Sequence, residues 1–206
     1  MEYLRDPCAI YAKSFAIIAA EAQFGALSRE AQKIAARVVH ACGMVEIAPD
    51  LVVSDDFVSA AKSALESGRS VLADSEMVRH GIAELAHRSA TICTLNDPRA
   101  RGIALASATT RSAAAVELWK PHIEGALAVI GNAPTALFAL IEKIDAGWPK
   151  PAAIVAFPVG FVGAAEAKQE LIGNPRGIPF IALSGRRGGS AMAAAVVNAL
   201  IEDVAA

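Results

Sequence analysis

Three stretches of this chain repeat one design: a short, unbroken apolar run, a turn carrying glycine, and then a helical pattern. Residues 126–130 meet Gly131-Asn132-Ala133-Pro134-Thr135 and a helix from 135 to 145. Residues 152–157 meet Pro158-Val159-Gly160-Phe161-Val162-Gly163 and a helix over 164–171. Residues 179–183 meet Ser184-Gly185-Arg186-Arg187-Gly188-Gly189-Ser190 and a helix over 191–204. A strand with one wet face alternates polar and apolar residues, whereas a run without polar members suits a strand covered on both faces. Such strands alternating with helices predict a mainly parallel sheet between two helical layers. Right-handed crossovers then set all three glycine turns at the carboxyl edge of that sheet.

The earlier part of the chain leads into this unit. Asp6-Pro7 opens a helix to about Gln23 along Ile10, Ile17 and Ile18, with Pro7 where its missing N–H costs nothing. Ser28 caps a second helix, with Glu30 in its first turn, Ala31, Ile34, Ala35, Val38, Ala41 and Val45 at helical spacing, and Gly43 as its stop. Short strands are expected at 51–53, 70–73 and 90–94, and helices from 54 to 66, over 76–81 and over 111–119. Asp97-Pro98-Arg99 reads as a helix start with its cap. No linker interrupts the 206 residues, so the expectation is one α/β/α domain over 1–206, preceded by two N-terminal helices.

Composition removes several function classes. With 54 % apolar and 19 % charged residues the chain can bury a core and does not resemble a disordered segment. Its 19 basic residues against 21 acidic ones leave no cationic surplus for nucleic-acid phosphates. The long uncharged runs, 125–141 and 151–165, contain Gly and Pro and fall short of a bilayer span, so no membrane partner is expected. No basic stretch leads into an apolar one at the start, and Cys8, Cys42 and Cys93 are far apart. A cytoplasmic protein with reduced thiols and no metal site is expected.

The turns suggest a ligand with several anionic groups. Glycine lets backbone N–H groups approach a ligand, and each following helix adds unpaired N–H groups and partial positive charge. Arg111, Arg186 and Arg187 add guanidinium groups suited to carboxylates. Tight strand-to-helix turns use Gly and Asn for geometry alone, so a purely structural reading stands beside this one. Neither a phosphate-binding G-x-x-x-x-G-K-[ST] nor a dinucleotide fingerprint is present.

Of His40, His80, His87 and His122, only His40 lies deep in a strongly patterned helix, near its carboxyl end and three residues after Arg37. A histidine so placed suits proton transfer near neutral pH, although it is as compatible with a structural role. Cys42, two residues on, points to another side of the helix, which disfavours a Cys–His nucleophile. Ser14 shares a stripe with Ile10, Ile17 and Ile18, as either a buried hydroxyl or a ligand contact.

Six segments carry a resemblance. They are Ser14-Phe15-Ala16-Ile17-Ile18, Val39-His40-Ala41-Cys42-Gly43, Thr110-Arg111-Ser112-Ala113-Ala114, Gly131-Asn132-Ala133-Pro134-Thr135-Ala136-Leu137, the run from Pro158 to Glu166, and Gly185-Arg186-Arg187-Gly188-Gly189-Ser190. In this order and spacing the chain resembles the precorrin-8X methylmutases of cobalamin biosynthesis over essentially its whole length. The resemblance implies an isomerase that moves a methyl group between neighbouring carbons of ring C of a contracted tetrapyrrole, giving hydrogenobyrinate. It implies a sigmatropic shift without a covalent enzyme intermediate, no cofactor, and a homodimer. His40 falls on the family's proton donor and acceptor, and Ser14 and Arg37 fall on substrate-binding positions. Arg111 and Asn132, within the shared motifs, complete the expected substrate-binding set. One departure is Ala167, where the family pattern has serine. The alternatives are a cobalt-precorrin-8 methylmutase and a tetrapyrrole carrier that rearranges nothing.

Overall fold

The computed structural model describes residues 1–82 and 89–205; His87 lies outside them. Six strands form one sheet: β1 (Leu51–Val53), β2 (Val71–Ala73), β3 (Thr91–Cys93), β4 (Leu127–Ile130), β5 (Ala153–Ala156) and β6 (Phe180–Leu183), in the order β1-β6-β5-β4-β2-β3. All neighbours run parallel except β1, which closes the edge antiparallel to β6 with Leu51 opposite Leu183.

The three apolar runs are the sheet's buried centre, and every residue of β4, β5 and β6 is buried. The pleat divides them between two cores. Leu127, Val129, Ala153, Val155, Ile181 and Leu183 face one, while Ala128, Ile130, Ile154, Ala156, Phe180 and Ala182 face the other. On the first face pack α2 (Arg29–Cys42), α3 (Phe57–Glu66), α4 (Glu76–Gly81) and α9 (Ser190–Ala205); on the second pack α6 (Arg111–Glu117), α7 (Pro134–Asp145) and α8 (Ala164–Gly173). α5 (Pro98–Ala106) lies against α6, and α1 (Pro7–Glu21) lies outside the layers against α2. The three-layer architecture with two leading helices is thus as expected.

Two expectations need correction. The stripe Ile10, Ile17, Ile18 does not seat α1 in the core: Ile18 is buried, but Ile10 and Ile17 are each 45 % exposed. α1 meets its own domain along a narrow line on α2, so most of its apolar surface faces outward. The first helix also ends at Glu21 rather than Gln23, because Ala22 is already extended (ψ 134°). A 3-10 helix over Val45–Asp50, which carries Pro49, and the full length of α5 had no clear periodic signal.

Strand order reverses between β2 and β4, since β3 lies on the far side of β2. In open α/β sheets the crevice beyond such a reversal is the usual ligand site. Here it is filled from within. The buried carboxylate of Asp74, just after β2, accepts the backbone N–H groups of Gly131 (2.9 Å), Asn132 (3.0 Å) and Ala133 (2.8 Å). Gly131 is hemmed in so closely that a Cβ there would lie 2.7 Å from Val78 and 2.8 Å from Ala193. The first glycine turn does bind an anion, but the anion belongs to the protein.

Candidate active site

His40 and Ser14 are carried by α2 and α1. Asp6 accepts the N–H of Ala9 and starts α1 with Pro7 in its first turn. Ser28 accepts the N–H of Ala31 and starts α2, and Gly43 ends it in the left-handed region (φ 70°). α2 buries Ala31, Ile34, Ala35, Val38 and Val39 against the domain, chiefly α9, which fixes its rotation. His40 therefore emerges on the side that meets α1.

Ser14 Oγ lies 2.9 Å from His40 Nδ1. When the ring is neutral, the hydroxyl can donate to Nδ1, leaving the ring proton on Nε2. When the ring is protonated, Nδ1–H donates to the same oxygen. A hydroxyl serves both states, and a carboxylate or an amide N–H would favour only one. Ser14 is thus neither bonded back to its own helix nor part of a core stripe.

Aromatic rings hold the imidazole on its flanks. Phe15 stacks on His40 with centroids 5.0 Å apart and planes at 27°, and Tyr11 meets it edge-on at 5.7 Å. The same two rings carry the Arg37 guanidinium, 5.1 Å from the Tyr11 centroid and 5.4 Å from that of Phe15. Partial burial pulls Arg37 below the ordinary arginine range. The carboxylate needed to offset the charge beside His40 is present, since Arg37 forms an ion pair with Glu202 of α9. Sequence reasoning missed Tyr11, Phe15 and Glu202; the i, i+4 spacing of Tyr11 and Phe15 on one face of α1 was the available signal.

A groove of about 570 Å³ opens beside this cluster, with Tyr11, Phe15, Phe24, Arg29, Lys33 and Arg37 among its walls. His40 does not line it. The imidazole stands exposed at the surface, joined to the groove through Arg37 and the two rings.

The other expected residues lie elsewhere. Arg111 is exposed at the first position of α6, where Thr110 caps the helix and bonds Thr135 of α7 at 2.8 Å. Asn132 sits half-buried at the sheet edge, its backbone N–H given to Asp74. Among the described residues neither touches Ser14, Arg37 or His40, because the crossovers that place α6 and α7 carry them to the opposite layer. Arg187 is engaged by Asp50 (2.7 Å) and, at 4.0 Å, Glu46. Cys42 turns its thiol to the carbonyls of Val39 and Met44, away from His40, and burial pushes that thiol up. His80 and His122 are exposed outside this cluster. No group of three or more His, Cys, Asp or Glu side chains among the described residues is arranged to hold a metal ion. Nor is any described helix long and apolar enough to cross a membrane. Ala167 is fully buried on the core face of α8, so a hydroxyl at this position would meet packed apolar neighbours rather than an open site.

Comparison with known proteins identifies the family. Residues 9–203 match the family model CbiC, precorrin-8X methylmutase. A precorrin-8X methylmutase of Sinorhizobium sp is 52 % identical over 201 residues, covering 97 % of this chain and 96 % of its own. One from Pseudomonas aeruginosa is 50 % identical over 202 residues, covering 97 % of each. The crystal structure of a precorrin-8X methylmutase from Thermus thermophilus superposes with a TM-score of 0.86 at 35 % identity, covering 96 % of both chains. The chain therefore belongs to the precorrin-8X methylmutase family, isomerases of cobalamin biosynthesis.

Proposed function

We propose that this chain converts precorrin-8X to hydrogenobyrinate by moving a methyl group between adjacent carbons of ring C, with His40 as proton donor and acceptor. The observation that carries the reading is the Ser14–His40 hydrogen bond, which supports the imidazole in both protonation states. A proton placed on the conjugated ring draws electron density away from the carbon that receives the methyl group, so that the group shifts with its bonding pair and the positive charge passes to the ring system at the carbon it leaves. The imidazole then recovers the proton, so substrate and product are isomers and no cofactor is consumed. General acid help of this kind contributes about 10²–10⁴-fold, and the rest comes from holding the macrocycle in a reactive geometry. Arg37, paired with a carboxylate already, exchanges Glu202 for a substrate carboxylate. Arg111 and Asn132 bind arms farther from the reacting ring.

The reading includes a cytoplasmic homodimer. Tyr3, Leu4, Ile10, Tyr11 and Ile17 are between 42 % and 65 % exposed along and before α1, apolar side chains that a second copy would cover. Covering it would also shelter His40, which is open to water in the single chain.

Product analysis with precorrin-8X and its cobalt-containing analogue, side by side, tests the assignment. The expected result is conversion of the metal-free substrate, followed by the change in visible absorbance that accompanies the altered conjugation. Conversion of the cobalt substrate alone would move the chain to the early-cobalt reaction. Recovery of both tetrapyrroles unchanged would make it a carrier.

A further inference from the structure

The second and third glycine turns are joined edge to edge. Gly160 N–H donates to Arg186 O (3.2 Å), and Gly189 N–H donates to Phe157 O (2.8 Å). Gly188 lies so close that a Cβ would stand 2.3 Å from Phe157 O. Beneath them the buried Lys168 ammonium donates to Arg187 O at 2.6 Å. Val159 N–H donates to Asn132 O (3.2 Å), tying the pair to the first turn.

What this fixed scaffold carries at its crest is apolar. Phe161 is 83 % exposed and Val162 88 % exposed, between Gly160 (φ 146°) and Gly163 (φ 80°), backbone conformations that other residues rarely adopt. Arg186, from the adjoining turn, lies over the Phe161 ring at 5.6 Å. Folding gains little by holding these side chains in water, since neither Phe161 nor Val162 reaches a core. The neighbouring anion-binding groups are already committed: the first turn's amides to Asp74, and Arg187 to Asp50 and Glu46. Arg186 has no carboxylate partner among the described residues.

We propose that Phe161 and Arg186 form a substrate-recognition element, with Phe161 and Val162 packing on the apolar face of the macrocycle and Arg186 binding one of its carboxylate arms. A guanidinium stacked on a ring keeps its N–H edge free for such a pairing. This rests on the substrate reading given above.

The test is steady-state turnover of precorrin-8X by the wild-type chain, Phe161→Ala, Arg186→Ala and Arg186→Lys, with elution volume and thermal melting recorded for each. Both alanine variants are expected to raise KM about tenfold while kcat stays within about twofold, with oligomeric state and melting unchanged. Lysine keeps the charge but not the stacked plane, and restores only part of the loss. Unaltered KM in the alanine variants overturns the proposal. So does a KM rise that tracks a changed elution volume, which would make the pair an interface between copies. A wild-type chain inert toward precorrin-8X would sink the substrate reading itself, whereas an active wild type with indifferent variants sinks only this inference.

Discussion

Ser14 Oγ and His40 Nδ1 lie 2.9 Å apart across two helices whose positions are separated by 26 residues in sequence. Ser14→Ala removes the ring's hydrogen bond at Nδ1 and leaves Phe15 and Tyr11 to hold its plane. The expected outcome is a fall in kcat of about tenfold with KM nearly unchanged, because the hydroxyl supports the proton's passage rather than substrate affinity. Rate measurements across pH 6–8 check it. A rise in KM with kcat intact would make Ser14 a ligand contact instead.

Arg37 shares its two aromatic neighbours with His40 while pairing with Glu202. Arg37→Lys keeps the charge and loses the planar group that stacks on Tyr11 and Phe15. KM should rise about tenfold, nearly as much as in Arg37→Ala, because the stacked fork and not charge alone is what binds. Full activity in the lysine variant would contradict this.

Asp74 closes the crevice beyond β2 and β4. Asp74→Ala leaves the buried N–H of Gly131 and the half-buried N–H groups of Asn132 and Ala133 without their acceptor. Unsatisfied buried donors cost about 1–3 kcal/mol each and are not additive, so a loss of roughly 3 kcal/mol in denaturant unfolding is expected. Asp74→Asn keeps one acceptor oxygen and should lose about half as much. A loss below about 1 kcal/mol would mean that water replaces the carboxylate and that the crevice is open after all.

Lys168 gives a pH test. Burial pulls its ammonium down from 10.5 to about 8. Between pH 8 and 10.5 the unfolded chain holds a proton that the folded chain has released, so this residue makes stability rise with pH across that window. Below pH 8 the charged form is held in both states and the full penalty stands. Lys168→Met should flatten this part of the profile relative to wild type. Parallel profiles for the two proteins would contradict the burial argument.

The sheet was legible because β4, β5 and β6 are buried on both faces, and a run such as Leu127–Ile130 has no other reading once glycine turns and helices flank it. The direction of β1 was not, since three residues at an edge carry no orientation. The outward face of α1 was hidden for another reason: Ile10 and Ile17 have the same spacing whether they face a core or the outside of the chain. His40 stood out by its place in α2, and Arg37 by its distance of one turn. Their pairing with Ser14 crosses two helices, and spacing within one element does not record such a contact. The turn at Gly131 reads as an anion site from its sequence, and its amides do hold a carboxylate. The occupant was missed because Asp74 lies 57 positions away and looks like any residue after a strand.

The central claim is that His40 carries the proton. The direct measurement is conversion of precorrin-8X by His40→Ala beside wild type, with circular dichroism to follow the fold. The imidazole is exposed at the end of a helix whose buried face lies elsewhere, so the variant should keep its structure. Turnover should fall by at least about 10²-fold, while bound substrate remains recoverable unchanged. Undiminished conversion by the folded variant would remove His40 from the reaction.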